Sequence, residues 1–173
     1  MQIVILSAVV VIGVLACAHD LKRGRIPNWL TFGGALAAIL YHFFAGGLGG
    51  GLSSIGGWLA GAALFFPFFV LRGMGGGDVK LLAAFGAWLG PLGAVWAGLY
   101  AALLGGVAAI AVALATGYTK QAFSNIWGLL LFWRVAGVKP LPALTLHAGK
   151  GPRLAYALPI FAGALASLWF PLR

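Results

Sequence analysis

Residues 79–116 read VKLLAAFGAWLGPLGAVWAGLYAALLGGVAAIAVALAT, an apolar stretch in which Lys80 is the one charged residue. One membrane crossing takes about 20 residues, and helices rise ~1.5 Å per residue, so the stretch is just long enough for two crossings. It is therefore either one long helix kinked at Gly90-Pro91-Leu92-Gly93 or a hairpin of two spans. This choice decides the fold, because it sets on which side of the membrane everything after it lies.

Composition places the whole chain in the membrane. Of the 173 residues, 62% are hydrophobic and 8% are charged, whereas an ordinary soluble domain is about a quarter charged. No polar stretch is long enough for a second domain, so we expect one all-α, polytopic bundle over residues 1–173. The net charge of +9 comes from Lys and Arg residues in short loops, a pattern typical of topology determinants rather than of nucleic-acid binding.

The basic residues favour the hairpin. The apolar runs are approximately 2–18, 29–45, 53–71, 79–96, 97–116 and 154–171, with a glycine-rich turn at 46–51. With six spans and the N-terminus outside, every Lys and Arg except Arg173 falls on the cytoplasmic side, as the positive-inside rule requires. A single span over 79–116 would place Lys120 and the basic residues after it outside. We therefore predict about six transmembrane helices, with both termini outside.

The segment between the last two runs is amphipathic. Phe123, Ile126, Trp127 and Leu130 fall at helical spacing among polar residues. This pattern indicates an interfacial helix over about 120–135 or, with equal weight, a hydrophobic loop packed against the bundle.

Asp20 and Asp78 are the only acidic residues, and both lie where an apolar run meets a basic loop. Carboxylates at a membrane boundary are costly to desolvate, so they indicate function. Two neighbouring carboxyls that share one proton, together with a water, can hydrolyse a peptide bond. The alternatives are that Asp20 neutralises nearby Lys or Arg, that Asp78 is a helix N-cap, or that both form the relay of a proton-coupled transporter. A transporter relay predicts acids near the middle of the membrane.

Each acid has a distinctive neighbourhood. Asp20 is followed by Ile26-Pro27-Asn28, where Pro27 fixes its own φ and Asn28 can cap a helix that starts at about Trp29. Asp78 follows Gly75-Gly76-Gly77, a bend that leaves room for an extended substrate. Asp78 also lies at a helix N-terminus, which favours negative charge.

Together these motifs resemble the prepilin peptidase family, the type IV leader peptidases, which are intramembrane aspartyl proteases of the Gly-x-Gly-Asp class. The matching positions are Asp20 with Ile26-Pro27-Asn28, and Gly75-Gly76-Gly77-Asp78 with Lys80. The resemblance implies that Asp20 and Asp78 are catalytic and that the other matched residues support the substrate site. No His or Cys cluster supports a metal, so we expect no cofactor.

The resemblance also implies partners and a location. The expected substrate is a prepilin or pseudopilin, cleaved behind its short leader at the bacterial inner membrane, with lipids and the pilus assembly machinery as further partners. Bifunctional members carry paired Cys-x-x-Cys motifs, whereas this chain has only Cys17. It therefore resembles the short branch that serves Tad/Flp pili, and we expect no methyltransferase domain or N-methylation.

Overall fold

The computed structural model describes residues 2–139 and 154–169, and these residues form helices without any strand. The helices are α1 (Gln2–Arg23), α2 (Asn28–Val70), α3 (Gly76–Ala115), α4 (Thr119–Ala136) and α5 (Ala157–Trp169). The all-α prediction is confirmed for this part of the chain. Lys150, Arg153, Arg173 and the end of the last apolar run lie outside the described residues.

Three helices are long and apolar enough to cross a membrane, namely α1, α2 and α3, with 22, 43 and 40 residues. α5 is a shorter apolar helix of 13 residues. The two longest helices far exceed the ~20 residues that one crossing needs, and both contain non-helical glycines.

α2 reverses direction at Gly46 and Gly47. Gly47 has a φ of +62°, a conformation that residues with a side chain rarely adopt. A side-chain carbon built on Gly50 would overlap the backbone oxygen of His42, although eight residues of straight helix would separate the two by about 12 Å. The predicted glycine turn is therefore confirmed, but residues 48–51 already belong to the returning helix.

α3 also reverses, at Gly90, whose φ is +76°. A carbon built on Gly86 would lie 3.0 Å from the Ala94 side chain, and one built on Gly98 would lie 3.3 Å from Leu82. The chain thus reverses within this stretch, but at Gly90 and not at the predicted boundary 96–97, which is wrong; two separate membrane crossings here stay a prediction. The reversal comes earlier because Gly90 tolerates the left-handed conformation, and Pro91 suits the first turn of the helix that follows.

The first half of α3, residues 76–89, forms the centre of the bundle. Every residue from Leu81 to Trp88 is buried, so this segment has no solvent or lipid face. The returning half of α2 crosses it at very short range: a carbon built on Gly57 would overlap the Gly86 backbone oxygen, and one on Gly61 would lie 2.5 Å from Leu82 O. Such backbone approach requires small residues.

The central segment 76–89 is only about 21 Å long at ~1.5 Å per residue, and its C-terminal end is polar. Ser54 Oγ donates a hydrogen bond to Ala87 O at 2.8 Å, and His42 Nε2 donates to Trp88 O at 3.2 Å. These carbonyls lack partners within their own helix, so side chains of α2 satisfy them. A cavity of about 220 Å³, lined by Ser53 among others, opens beside this end.

The second half of α3 extends well past the N-terminus of the central segment. The pairings of Gly86 with Ala94 and of Leu82 with Gly98 place Asp78 level with about Ala102. At ~1.5 Å per residue, residues 102–115 continue about 20 Å further. We call residues 102–115 the α3 tail, and within it only Gly105 is buried.

α4 follows the α3 tail and contacts little else. Phe123, Ile126, Trp127 and Leu130 are all exposed, while Gln121 and Asn125 are linked to Tyr118 by hydrogen bonds on another side of the helix. The segment 120–135 is therefore helical, and the alternative of a loop packed against the bundle is wrong. Its position at the membrane interface stays a prediction.

Candidate active site

Asp20 lies in the last turn of α1, ahead of the exposed Lys22 and Arg23. Its Oδ2 accepts a hydrogen bond from the backbone N–H of Ala157, the first residue of α5, at 3.2 Å. Within residues 2–139 and 154–169, no Lys or Arg forms an ion pair with Asp20. The alternative that Asp20 merely neutralises neighbouring cations is therefore not supported by these residues.

Asp78 is the third residue of α3, and the N-cap position belongs to Gly75. The backbone N–H of Asp78 donates a hydrogen bond to Gly75 O at 3.2 Å. The reading of Asp78 as the N-cap itself is thus wrong. A carbon built on Gly75 would lie 3.2 Å from Asp78 Oδ2, so a side chain there would crowd the carboxylate.

The two sequence motifs pack directly on each other. A carbon built on Gly77 would lie 3.3 Å from Cβ of Ile26, which is buried. Lys80 Nζ donates to Asn28 Oδ1 at 3.1 Å, and the same ammonium lies 5.4 Å from the centre of the Phe32 ring, a favourable cation–π distance. The chain after α1 and the start of α3 are therefore tied together by one apolar and one polar contact.

The predicted role of Asn28 as a helix cap is wrong. α2 begins at Asn28 itself, and its N-cap is the extended Pro27, which makes no side-chain capping bond. The Asn28 side-chain oxygen is instead occupied by Lys80. Gly76 packs against the edge of Phe69, 3.2 Å from where its side chain would begin.

The two acids lie at the same end of the bundle and interact. The Asp20 carboxylate is close enough to act electrostatically on Asp78. Tyr156, just before α5, lies close enough to Asp78 for that charge to act on its hydroxyl. Two interacting carboxyls on separate helices, next to a glycine bend, can share a proton and polarise a water between them.

Comparison with known proteins agrees with this arrangement. The sequence profile of the type IV leader peptidase family matches residues 7–110, which include both acids and both motifs. The chain belongs to the type IV leader peptidase family. It is 33% identical over 156 residues to a prepilin leader peptidase/N-methyltransferase of Aeromonas hydrophila, a match that covers 87% of this chain and 44% of that protein.

A second relative has the same printed name. The prepilin leader peptidase/N-methyltransferase of Burkholderia pseudomallei strain 1026b is 33% identical over 161 residues, which cover 88% of this chain and 42% of that protein. The chain thus spans less than half the length of these relatives. No solved structure matches the chain significantly.

One part of this leader peptidase site was missed by sequence reasoning. The start of α5, with Tyr156 and Ala157, lies beyond the residues matched by the family profile and carries no motif. Ala157 contributes its backbone N–H, which cannot be predicted from a pattern of side chains. The only local signal is Pro159, because proline is frequent in the first turn of a helix. Among the described residues, no group of three His, Cys, Asp or Glu side chains could hold a metal ion.

Proposed function

We propose that this chain is a membrane-embedded aspartic endopeptidase that removes the short leader of type IV prepilins, of the Flp type, with Asp20 and Asp78 as its catalytic residues. One observation carries the proposal. The Ile26 and Asn28 side chains after α1 contact Gly77 and Lys80 at the start of α3, so the segments that bear the two acids are held together at one end of the bundle.

In the proposed reaction, one carboxylate accepts a proton from a water, and the protonated partner donates its proton to the carbonyl oxygen of the scissile bond. The water oxygen adds to the carbonyl carbon, and the tetrahedral intermediate collapses as the amine leaves with a proton. Like charges at short range disfavour double ionisation, which keeps the single shared proton in place.

Gly75, Gly76 and Gly77 provide the approach for the substrate. Without side chains, they leave the backbone next to Asp78 open to an extended peptide. Lys80 and Asn28 fix the start of α3 relative to the chain after α1, and Pro27 holds that chain extended, with a φ of −70°. In this view Ile26, Pro27, Asn28 and Lys80 shape the site without taking part in proton transfer.

The same proposal includes a membrane placement in the bacterial inner membrane. The reversals in α2 and α3 support six crossings with both termini outside, because they bring Asp20 and Asp78 to one side. Lys22, Arg23, Arg25 and Arg72 are exposed at that side, as expected for the cytoplasmic face. The α3 tail continues past the acids, so they would lie in a recess that opens to the cytoplasm.

The lipid partner is proposed from α4. Its exposed apolar side chains are flanked by Lys120 and Arg134, and the helix contains no acidic residue. This combination fits an anionic leaflet, because the apolar side chains enter the interface and the cations meet the headgroups. We propose that the inner leaflet covers α4 and the adjoining α3 tail.

The transporter alternative receives less support. A relay calls for carboxyls near the middle of the membrane, whereas Asp20 lies in the last turn of α1, directly before the exposed cations Lys22 and Arg23. Exposed cations at a helix end are typical of the cytoplasmic boundary, and access from that side fits hydrolysis of a substrate from the cytoplasm.

Co-expression with an Flp-type prepilin, in a host without its own leader peptidase, tests the proposal. A gel mobility shift reports leader removal. Asp20→Asn and Asp78→Asn should each abolish it, because each removes half of the proton-sharing pair, while the matched control Lys22→Gln should process normally. Substantial cleavage by either Asn variant would overturn the dyad. Mass spectrometry of the processed pilin should show an unmethylated N-terminal amine, and a chelator should leave cleavage unchanged.

A further inference from the structure

We propose that the first turn of α5 is a third element of the catalytic centre, in which the backbone N–H of Ala157 positions the Asp20 carboxylate for reaction with water. This inference rests on the proposed peptidase function and adds to it a positioning group outside both motifs. The contact in question joins Ala157 N to Asp20 Oδ2 at 3.2 Å, and in this inference it has a role in turnover.

The donors in the first turn of α5 show why this contact is distinctive. The first N–H groups of a helix have no partners within it. Leu158 N donates to Ala155 O at 3.4 Å and Ile160 N to Tyr156 O at 3.2 Å, and Pro159 has no N–H. Among the described first-turn donors, only Ala157 therefore donates to a side chain, and that side chain is one of the two acids of the whole sequence.

α5 is held firmly enough to act as a positioning element. Ala157, Ile160 and Ala164 are fully buried. A carbon built on Gly163 would lie 2.5 Å from Ala97 O, so α5 rests directly on the backbone of α3. On the other side, the Phe161 ring occupies the place where a side chain of Gly13 in α1 would lie. The amide of Ala157 is thus fixed relative to both acid-bearing helices.

Tyr156 connects the same turn to Asp78. Its ring packs against Phe65 with centroids 6.1 Å apart, and its hydroxyl lies 3.5 Å from Ala101 O, at the level of Asp78 on the neighbouring half of α3. Of these two adjacent residues, Ala157 contacts Asp20 through its backbone N–H, and Tyr156 lies against the half of α3 that neighbours Asp78.

The donor fixes the orientation of the Asp20 carboxylate. It holds Oδ2 in place, while Oδ1 accepts no hydrogen bond from a described residue and is left for the water.

Ala157→Pro tests the proposal, because proline at the first position of a helix fits its backbone and removes the N–H. We expect the variant to keep its KM for prepilin and to lose about 10- to 100-fold in kcat, the worth of a hydrogen bond to a charged group. Ala157→Gly, which keeps the N–H, should retain most of the wild-type kcat and the wild-type KM. Because Ala157 is buried and proline adds ring atoms, the comparison also needs a variant that changes the N–H alone.

Several outcomes would overturn the inference. Wild-type kcat in Ala157→Pro would show that the donor has no role, and equal losses in the Pro and Gly variants would show that only packing matters. If Ala157→Pro does not fold, an α-hydroxy acid incorporated at position 157 replaces the amide by an ester and decides between the same outcomes. The proposed function fails separately, since in that case the wild-type chain itself would cleave no prepilin.

Discussion

Two segments of α3, one at each end, are similar in sequence but lie in opposite environments. The central segment 76–89 and the α3 tail are both rich in Ala, Gly and Leu. Yet every residue from Leu81 to Trp88 is buried, while Val107 and Leu114 are 66% and 65% exposed. Hydropathy therefore identifies which residues avoid water but not which of them face protein and which face lipid.

The difference comes from the partners of each half. The central segment meets α2 at Gly57 and Gly61, where backbones touch, and close packing over that contact gives it a protein environment on all sides. Within the tail only Gly105 is buried, and a side chain at Gly106 would meet nothing within 4 Å. A side chain is therefore excluded at Gly57 and Gly61, which contact the central segment, but not at Gly106.

Gly86→Ala and Gly106→Ala test the difference in packing between the two segments and should show the largest effect. A methyl group at Gly86 would overlap the Gly57 backbone oxygen, and overpacked cores typically lose 1–3 kcal/mol or more, roughly, because the backbone must move. At Gly106 the methyl group finds open space, so no loss is expected. Thermal unfolding in detergent should show a large drop in midpoint for the first variant only.

Equal midpoints for these two variants would mean that α2 and the central segment are not closely packed at Gly57 and Gly86. A drop confined to Gly106→Ala would mean that the α3 tail, and not the central segment, is the tightly packed half.

Lys80→Met should have a smaller effect, confined to the end of the central segment that bears Asp78. The variant keeps the length of the side chain but loses the hydrogen bond to Asn28 and the cation–π contact with Phe32. We expect kcat/KM for prepilin cleavage to fall about 3- to 10-fold, as for one hydrogen bond of ~1 kcal/mol. Unfolding midpoints should stay near wild type.

A double-mutant cycle provides the control. Asn28→Ala should produce a similar loss, and the double variant should be little worse than either single variant, because both remove the same contact. Additive losses would show that Lys80 and Asn28 act independently.

The smallest effect is expected at α4, beyond the tail. Replacing Lys120 by Gln should lower the dependence of activity on anionic lipid by about 5-fold, since one surface cation contributes ~1 kcal/mol. This lipid dependence is measured as the activity in nanodiscs with anionic lipid relative to that in nanodiscs without it. An unchanged lipid dependence would argue against the proposed contact with the inner leaflet.

Sequence reasoning located the candidate acids and the helix reversals because these residue types are scarce or chemically special. Asp20 and Asp78 stand out because there are no other acids, and Gly46-Gly47 and Gly90-Pro91 mark reversals because few other residues permit them. It was inaccurate where the local preference of a residue competes with a contact to a residue far away in the sequence. Asn28 is a good cap by local preference, but Lys80, 52 residues away, occupies its oxygen.

The contribution of Ala157 could not be predicted for a different reason. Backbone donors are the same in every residue except proline, so their targets depend entirely on tertiary structure. The exposure of the α3 tail could not be predicted either, because membrane helices that face lipid and those that face protein are both apolar in sequence.

The brevity of the central segment has a consequence for the surrounding bilayer. The central segment is about 21 Å long at ~1.5 Å per residue, whereas a hydrocarbon core is about 30 Å thick. A short helix that faces lipid would force the membrane to thin, but residues 81–88 of this one are buried within the protein. In the proposed membrane placement, the bilayer therefore does not have to match its length.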